Sequence, residues 1–189
     1  GYVQNRNFEQ LAEPVKRGAA ALAIDENGEI RASAIASHYN DGNGGKKNIT
    51  EIGAVLCDVG GAGLSKVLLA MLALKQTFDP RASQRVYAKV AKDNVASNKV
   101  FSSQLGWENV KCPNYAKELY DVAYRDKEGK RDRLWYHFNR SAQENSAQIL
   151  KDCIDAEMLK TKDGGTIHLE IDRSSLCSTM HYYDMLSCA

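Results

Sequence analysis

One stretch, Glu51 to Trp107, constrains the chain more than any other. Ile49 to Cys57 is an apolar run bounded by polar residues, the pattern of a mostly buried strand. It passes through Asp58-Val-Gly-Gly-Ala-Gly-Leu64 directly into a helical pattern, with Leu64, Val67, Leu68, Met71 and Leu72 on one face. Asp79-Pro80 ends that helix, because proline lacks an amide proton and biases its predecessor out of the helical region. Arg85 to Ala91 alternates as a second strand, and Asp93-Asn94 opens a second helix that closes at Leu105-Gly106-Trp107.

A strand that runs through clustered glycines into a helix can bind an anion. Glycine lets the backbone bend sharply and expose its amides, and the first helical turn leaves N–H groups without partners. The positive end of the helix dipole adds to them, and a pyrophosphate is the common guest. Gly60, Gly61 and Gly63 would form the cradle. The same pattern also serves as a plain tight turn with no ligand, and spacing alone leaves both readings open.

The whole segment resembles the GNAT superfamily of acyl-CoA-dependent N-acetyltransferases. There a strand bearing a glutamate runs into an (Arg/Gln)-x-x-Gly-x-(Gly/Ala) loop; Glu51 and Asp58-Val-Gly-Gly61-Ala-Gly63 match it. The family's next strand ends at an asparagine, followed by a helix with a small residue three positions on and a closing Leu-Gly-aromatic. Asn94, Ser97 and Leu105-Gly106-Trp107 fit.

The resemblance implies an α/β protein of the α+β type: a mixed, mostly antiparallel sheet flanked by helices. It implies acetyl-CoA as cofactor and direct acetyl transfer to a primary amine, on a small molecule or a peptide. Glu51 is then the base that takes the amine proton. Backbone groups of Val55, Leu56 and Cys57 would meet the pantetheine arm as an added strand. Amides of Gly60, Gly61, Ala62, Gly63, Leu64 and Ser65 would hold the phosphates, with Lys66 close by. Asn94 would hydrogen-bond the arm, Ser97 would leave room for it, and Phe101 would pack beside the thioester.

Several departures stand out. Asp58 replaces the Arg or Gln of the loop, and the link from Glu51 to the loop is short. Phe101 occupies the place of a tyrosine that protonates the departing thiolate in many members, and one extra residue lies between Phe101 and Gly106. Asp58 and Phe101 keep a second reading open: a GNAT-like module that binds CoA or a partner protein without catalysis. Glu51 itself is either the base or an exposed charge at a strand entrance.

Composition narrows the class. The 189 residues carry 25 basic and 24 acidic side chains, so charge gives no strong case for nucleic acid. No apolar run reaches membrane-span length and no secretory signal opens the chain. Cys57, Cys112, Cys153, Cys177 and Cys188 form no Cys-x-x-Cys pair, and the four histidines show no ligand spacing, which argues against a disulfide framework or a metal site. A cytoplasmic location is the simplest expectation.

The flanks follow the same logic. Asn7 to Arg17 reads as a helix capped by Asn7 and interrupted by Pro14, with Gly18 as its stop. Two apolar runs around Asn27-Gly28 read as a hairpin, Ala19–Ile24 and Ile30–Ala36. A full first strand and helix are missing before it, as if the N-terminal part were trimmed. His38-Tyr39 ends a strand near the expected site, as a proton carrier or as packing. Asp41 to Asn48 is a polar loop, read as solvated or as a flap. Tyr115, Tyr120 and Tyr124 precede a hairpin turn at Asp126–Lys130 and a last strand, Arg133–Phe138. We expect an acetyltransferase-like unit over residues 1–140 and a helix–strand extension over 141–189, docked on it or building a homodimer contact. Ile149, Leu150, Cys153, Ile154 and Met158 mark its helix, and Thr166–Ile171 its strand.

Overall fold

The computed structural model describes residues 8–40, 47–58, 61, 63–78, 85–113, 133–162 and 164–171. Asn7, Gly60, Ala62, the loop at 41–46, Tyr115, Tyr120, Tyr124, the turn at 126–130 and the end of the tail lie outside them.

Six strands form one sheet. In chain order they are β1 (Ala20–Ile24), β2 (Ile30–Asn40), β3 (Lys47–Cys57), β4 (Arg85–Ala91), β5 (Glu108–Val110) and β6 (Arg133–His137). Their spatial order is β1-β2-β3-β4-β6-β5. Every neighbouring pair is antiparallel except β3 and β4. Parallel neighbours need a crossover, and helix α2 (Leu64–Phe78) supplies it. The expected mixed, mostly antiparallel sheet flanked by helices is therefore what forms.

The hairpin turns where Asn27-Gly28 placed it. Gly28 takes a positive φ, and the Asp25 carboxylate accepts from the Asn27 and Glu29 amides. Helix α1 (Phe8–Lys16) runs through Pro14 rather than breaking there, and Gly18, with φ near 67°, stops it. Pro14 is the seventh of the nine residues, past the first turn, so the helix forgoes one internal hydrogen bond there and ends within a turn of it.

Helix α2 is buried on more than the one stripe its periodicity marks. Leu69, Ala70, Ala73 and Leu74 are sealed as completely as Leu68 and Leu72. The second layer comes from α4 (Arg140–Ala156), whose Ala142, Ala147, Leu150 and Cys153 join the same core. Asn139 caps α4 by accepting from the Ala142 amide at 2.9 Å, and Glu157 ends it in a left-handed turn. Met158, expected on this helix, instead opens β7 (Met158–Lys160) and is exposed. β7 pairs with β8 (Thr166–His168), which is shorter than the strand expected over Thr166–Ile171. Leu159, Leu169 and Ile171 hold this small hairpin against the main core, and the Leu169 amide donates to the Glu157 carbonyl at 2.9 Å.

Candidate active site

The two parallel strands come apart at their carboxyl ends. β3 and β4 are paired from Ile49–Arg85 to Ile52–Ala88, and no pair follows. β4 continues to Ala91 against β6, and β3 continues to Cys57 against β2. The edge of β3 that faced β4 is thus turned toward an opening seam, the place where open α/β sheets bind ligands. Both helices that follow these strands start at this end of the sheet.

A β-bulge sets where the seam opens. Ile35 pairs with Gly53 but Ser33 pairs with Leu56, so β3 carries one extra residue there. Ala54 absorbs it with φ near 49°, a left-handed conformation that a Cβ makes costly. The bulge also changes which residues share a face. Strict alternation would place Val55 and Cys57 with Glu51. Cross-strand partners instead put Leu56 on the face of Glu51 and Gly53, and Cys57 on the face of Ile52, while Val55 packs against the main core.

The glycine loop delivers the chain into α2. Gly61 and Gly63 both take positive φ, near 80° and 75°. Leu64 is buried as the first helical anchor and Ser65 is half-buried beside it. A Cβ at Gly63 would lie 3.8 Å from the Lys66 Cε, so the Lys66 side chain folds back over the loop. A Cβ at Gly61 would lie 2.8 Å from the Lys162 Cβ, closer than real contacts allow. Lys162 sits in the turn between β7 and β8, so the C-terminal hairpin rests directly on this loop. Asp58 is turned to the Arg31 guanidinium, Oδ2 to Nε 3.1 Å, and Arg31 also reaches Asp25 at 3.9 Å.

Glu51 is buried rather than exposed, at 8%. Its Oε1 lies 3.7 Å from the Lys89 Nζ on β4, and that ammonium sits 5.9 Å from the centre of the Trp135 ring. Glu51 is one residue before the last β3–β4 pair, at the base of the seam. His38 and Tyr39 pair with Thr50 and Ile49, toward the opposite end of β3. His38 Nδ1 is within 3.0 Å of the Thr50 hydroxyl, on the face away from Glu51, so the histidine is placed away from the carboxyl-end seam.

Across the seam, Asn94 caps α3 (Val95–Lys99) by accepting from the Ser97 amide at 3.2 Å. Residues Val100–Gln104 then wind as a π-helix, closed by the Leu105 amide on the Val100 carbonyl at 2.9 Å. One additional residue per turn is what a π-turn accommodates, so the extra position between Phe101 and Gly106 is taken up here. Gly106, with φ near 69°, ends the helix. Phe101 is turned into the core. It stacks on Tyr136 at 5.6 Å and meets Trp107 edge-on at 5.0 Å.

Asn98 and Tyr136 are the parts of this half that sequence reasoning missed. The Tyr136 hydroxyl donates to Asn98 Oδ1 at 3.0 Å, and Asn98 Nδ2 donates to the Ala91 and Lys92 carbonyls. This ties α3 to the end of β4 and to β6, fixing where Asn94 stands. Burial pushes the Tyr136 hydroxyl above its ordinary pKa. An asparagine one turn after a cap, with a tyrosine on a later strand, leaves no sequence signal. Among the described residues, no three His, Cys, Asp or Glu side chains gather as a metal site, and no helix is long and apolar enough to cross a membrane.

No family model and no curated protein sequence matches the chain. Solved structures do. N-acetylglutamate synthase from Neisseria gonorrhoeae, complexed with coenzyme A and N-acetyl-glutamate, superposes with a TM-score of 0.53 at 15% identity, covering 74% of this chain. The match spans 30% of that protein's length. A GCN5-related N-acetyltransferase from Brucella melitensis superposes with a TM-score of 0.52 at 15% identity, covering 81% of this chain and 67% of its own. The sheet order, the parallel pair with its seam and the helices behind them are thus those of the GCN5-related N-acetyltransferase fold.

Proposed function

We propose that the chain is an N-acetyltransferase that takes acetyl-CoA as donor and a primary amine as acceptor. The observation that carries this reading is the seam: a bulged strand parts from its parallel neighbour beside a loop whose two described glycines both adopt positive φ. Bound there, acetyl-CoA would supply the acetyl group as a reactive thioester. The exposed edge of β3 around Val55 to Cys57 would take the pantetheine arm, and the amides of Gly61 and of Gly63 to Ser65 would take the phosphates. The Asn94 amide would reach the arm from the other side while its Oδ1 holds the helix.

Glu51 would accept the proton that the acceptor nitrogen loses on attack, directly or through one water. Its depth at the base of the seam keeps it beside the reacting end rather than the phosphate end. Phe101 brings no proton to the departing sulfur, and the buried Glu51–Lys89 pair favours a second reading in which the seam binds the cofactor without turnover.

Titration calorimetry with acetyl-CoA, and with S-acetylpantetheine as the phosphate-free control, tests the donor site. Binding of acetyl-CoA that weakens when the phosphates are removed is expected. No heat at millimolar acetyl-CoA would sink the assignment, and tight binding with no turnover across an amine screen would leave only the second reading.

A further inference from the structure

The loop that would hold phosphate lacks a cation of its own. Its first position is Asp58, a carboxylate, where an anionic guest is least welcome. Arg31 neutralises Asp58 at 3.1 Å and divides itself with Asp25 at 3.9 Å, so its charge is already engaged. A cation for a phosphate has to come from elsewhere in the fold.

Two lysines lie against the two described loop glycines. Lys66 folds over Gly63 from the first turn of α2, and Lys162 crosses Gly61 from the hairpin turn. The second approach is far the closer: the position of an added Cβ on Gly61 is 2.8 Å from Lys162 Cβ, 3.6 Å from its amide nitrogen and 3.7 Å from Cδ. The stem therefore runs along the loop, with its ammonium two bonds beyond Cδ. This placement is fixed at both ends. Leu159 and Leu169 anchor the hairpin in the core, and the Thr161 and Gly165 backbones close the turn at 2.9 Å.

We infer that Lys162, carried by the β7–β8 hairpin, is the phosphate-binding cation of the donor site, standing in for the basic residue the glycine loop lacks. The inference rests on the acetyl-CoA reading above. It makes the C-terminal segment part of the binding machinery: the loop contributes amides, α2 its dipole and Lys66, and a hairpin about a hundred residues later the missing charge.

The test is calorimetric titration of the full chain and its Lys162→Ala and Lys162→Arg variants with acetyl-CoA and S-acetylpantetheine, each at two salt concentrations. Lys16→Ala, on exposed α1, serves as the charge control. Lys162→Ala should bind acetyl-CoA about tenfold more weakly, the scale of one charge-assisted contact partly open to water. Its affinity for S-acetylpantetheine should not change, its salt dependence should flatten, and Lys162→Arg should recover most of the loss. Wild-type affinity in Lys162→Ala would overturn the inference and leave the donor site standing. Tighter binding in that variant would also overturn it, because the hairpin would then be covering the loop. Failure of the wild-type chain to prefer acetyl-CoA over S-acetylpantetheine would remove both.

Discussion

Two strand–loop–helix units face each other across the seam, and they resolve their irregularities in different ways. The β3–α2 unit carries an awkward charge, Asp58, and a glycine with no room for a side chain, Gly61. Residues far away in sequence set both, Arg31 by pairing with the charge and Lys162 by crowding the glycine. The β4–α3 unit carries one residue too many, and answers it within its own helix by a single π-turn. That local repair has a cost in placement, since it accompanies a Phe101 ring turned into the core against Tyr136 and Trp107. Charge is settled at long range, where any element that passes near enough can serve. Helix register is settled locally, because the hydrogen bonds that define it join near neighbours.

If the β3 unit holds the chemistry, its glutamate should give the largest effect. Glu51→Gln keeps shape and hydrogen bonding but removes the proton acceptor. Turnover on an accepted amine should fall roughly a hundred- to ten-thousand-fold, with acetyl-CoA affinity near that of wild type. Steady-state kinetics with parallel calorimetry separates the two quantities. An unchanged kcat would take Glu51 out of the mechanism and leave it as the buried partner of Lys89.

The long-range answer on the same side can be broken at one atom. Gly61→Ala adds a Cβ at a positive φ and drives it against Lys162, whereas Gly63→Ala meets only the flexible end of Lys66 at 3.8 Å. Backbone strain costs each variant about 1–3 kcal/mol, and the clash adds to it only at Gly61. Thermal unfolding should therefore rank Gly61→Ala below Gly63→Ala, and acetyl-CoA should bind Gly61→Ala more weakly. Equal midpoints would mean that the hairpin yields easily and is not fixed on the loop.

The local answer on the other side makes the opposite kind of prediction. Phe101→Tyr restores the residue that a protonating role would need, but into a buried aromatic cluster. The new hydroxyl should cost about 1–3 kcal/mol for want of a partner, with no gain in kcat. A rise in kcat, above all with a changed alkaline limb of the pH profile, would place this ring in the seam after all.

These contrasts explain what was legible in the sequence. Strands β1 to β4 and β6, α2, the hairpin at Asn27-Gly28 and the helix stop at Gly106 follow from periodicity and turn chemistry, which act over a few residues. The loop glycines and the extra residue before Gly106 were visible for the same reason. Arg31–Asp58, Glu51–Lys89 and Gly61–Lys162 were not, because each joins elements that only the folded sheet and the docked hairpin bring together. The bulge at Ala54 hides for another reason. One inserted residue leaves composition and hydropathy unchanged, yet it exchanges the facing of Leu56 and Cys57. Phe101 was readable as a departure from the motif, but its direction depends on a π-turn that no side chain announces.

The smallest expected effect lies at the far strand of the β4 side. His137 on β6 stands opposite Glu108 of β5 and 5.1 Å from the Tyr87 ring. Burial holds its pKa below the ordinary 6.5, and the Glu108 carboxylate only partly offsets that. The unfolded chain therefore takes up this proton first as pH falls. The stability linked to His137 is whole above pH 6.5 and is lost as pH drops from there through the folded-state value. The unfolding midpoint should decline over that window, and less steeply in His137→Gln, which has no proton to gain. Superimposable profiles for wild type and variant would mean that the ring is as solvated in the folded chain as in the unfolded one. The β5–β6 end of the sheet would then be open to water at this ring.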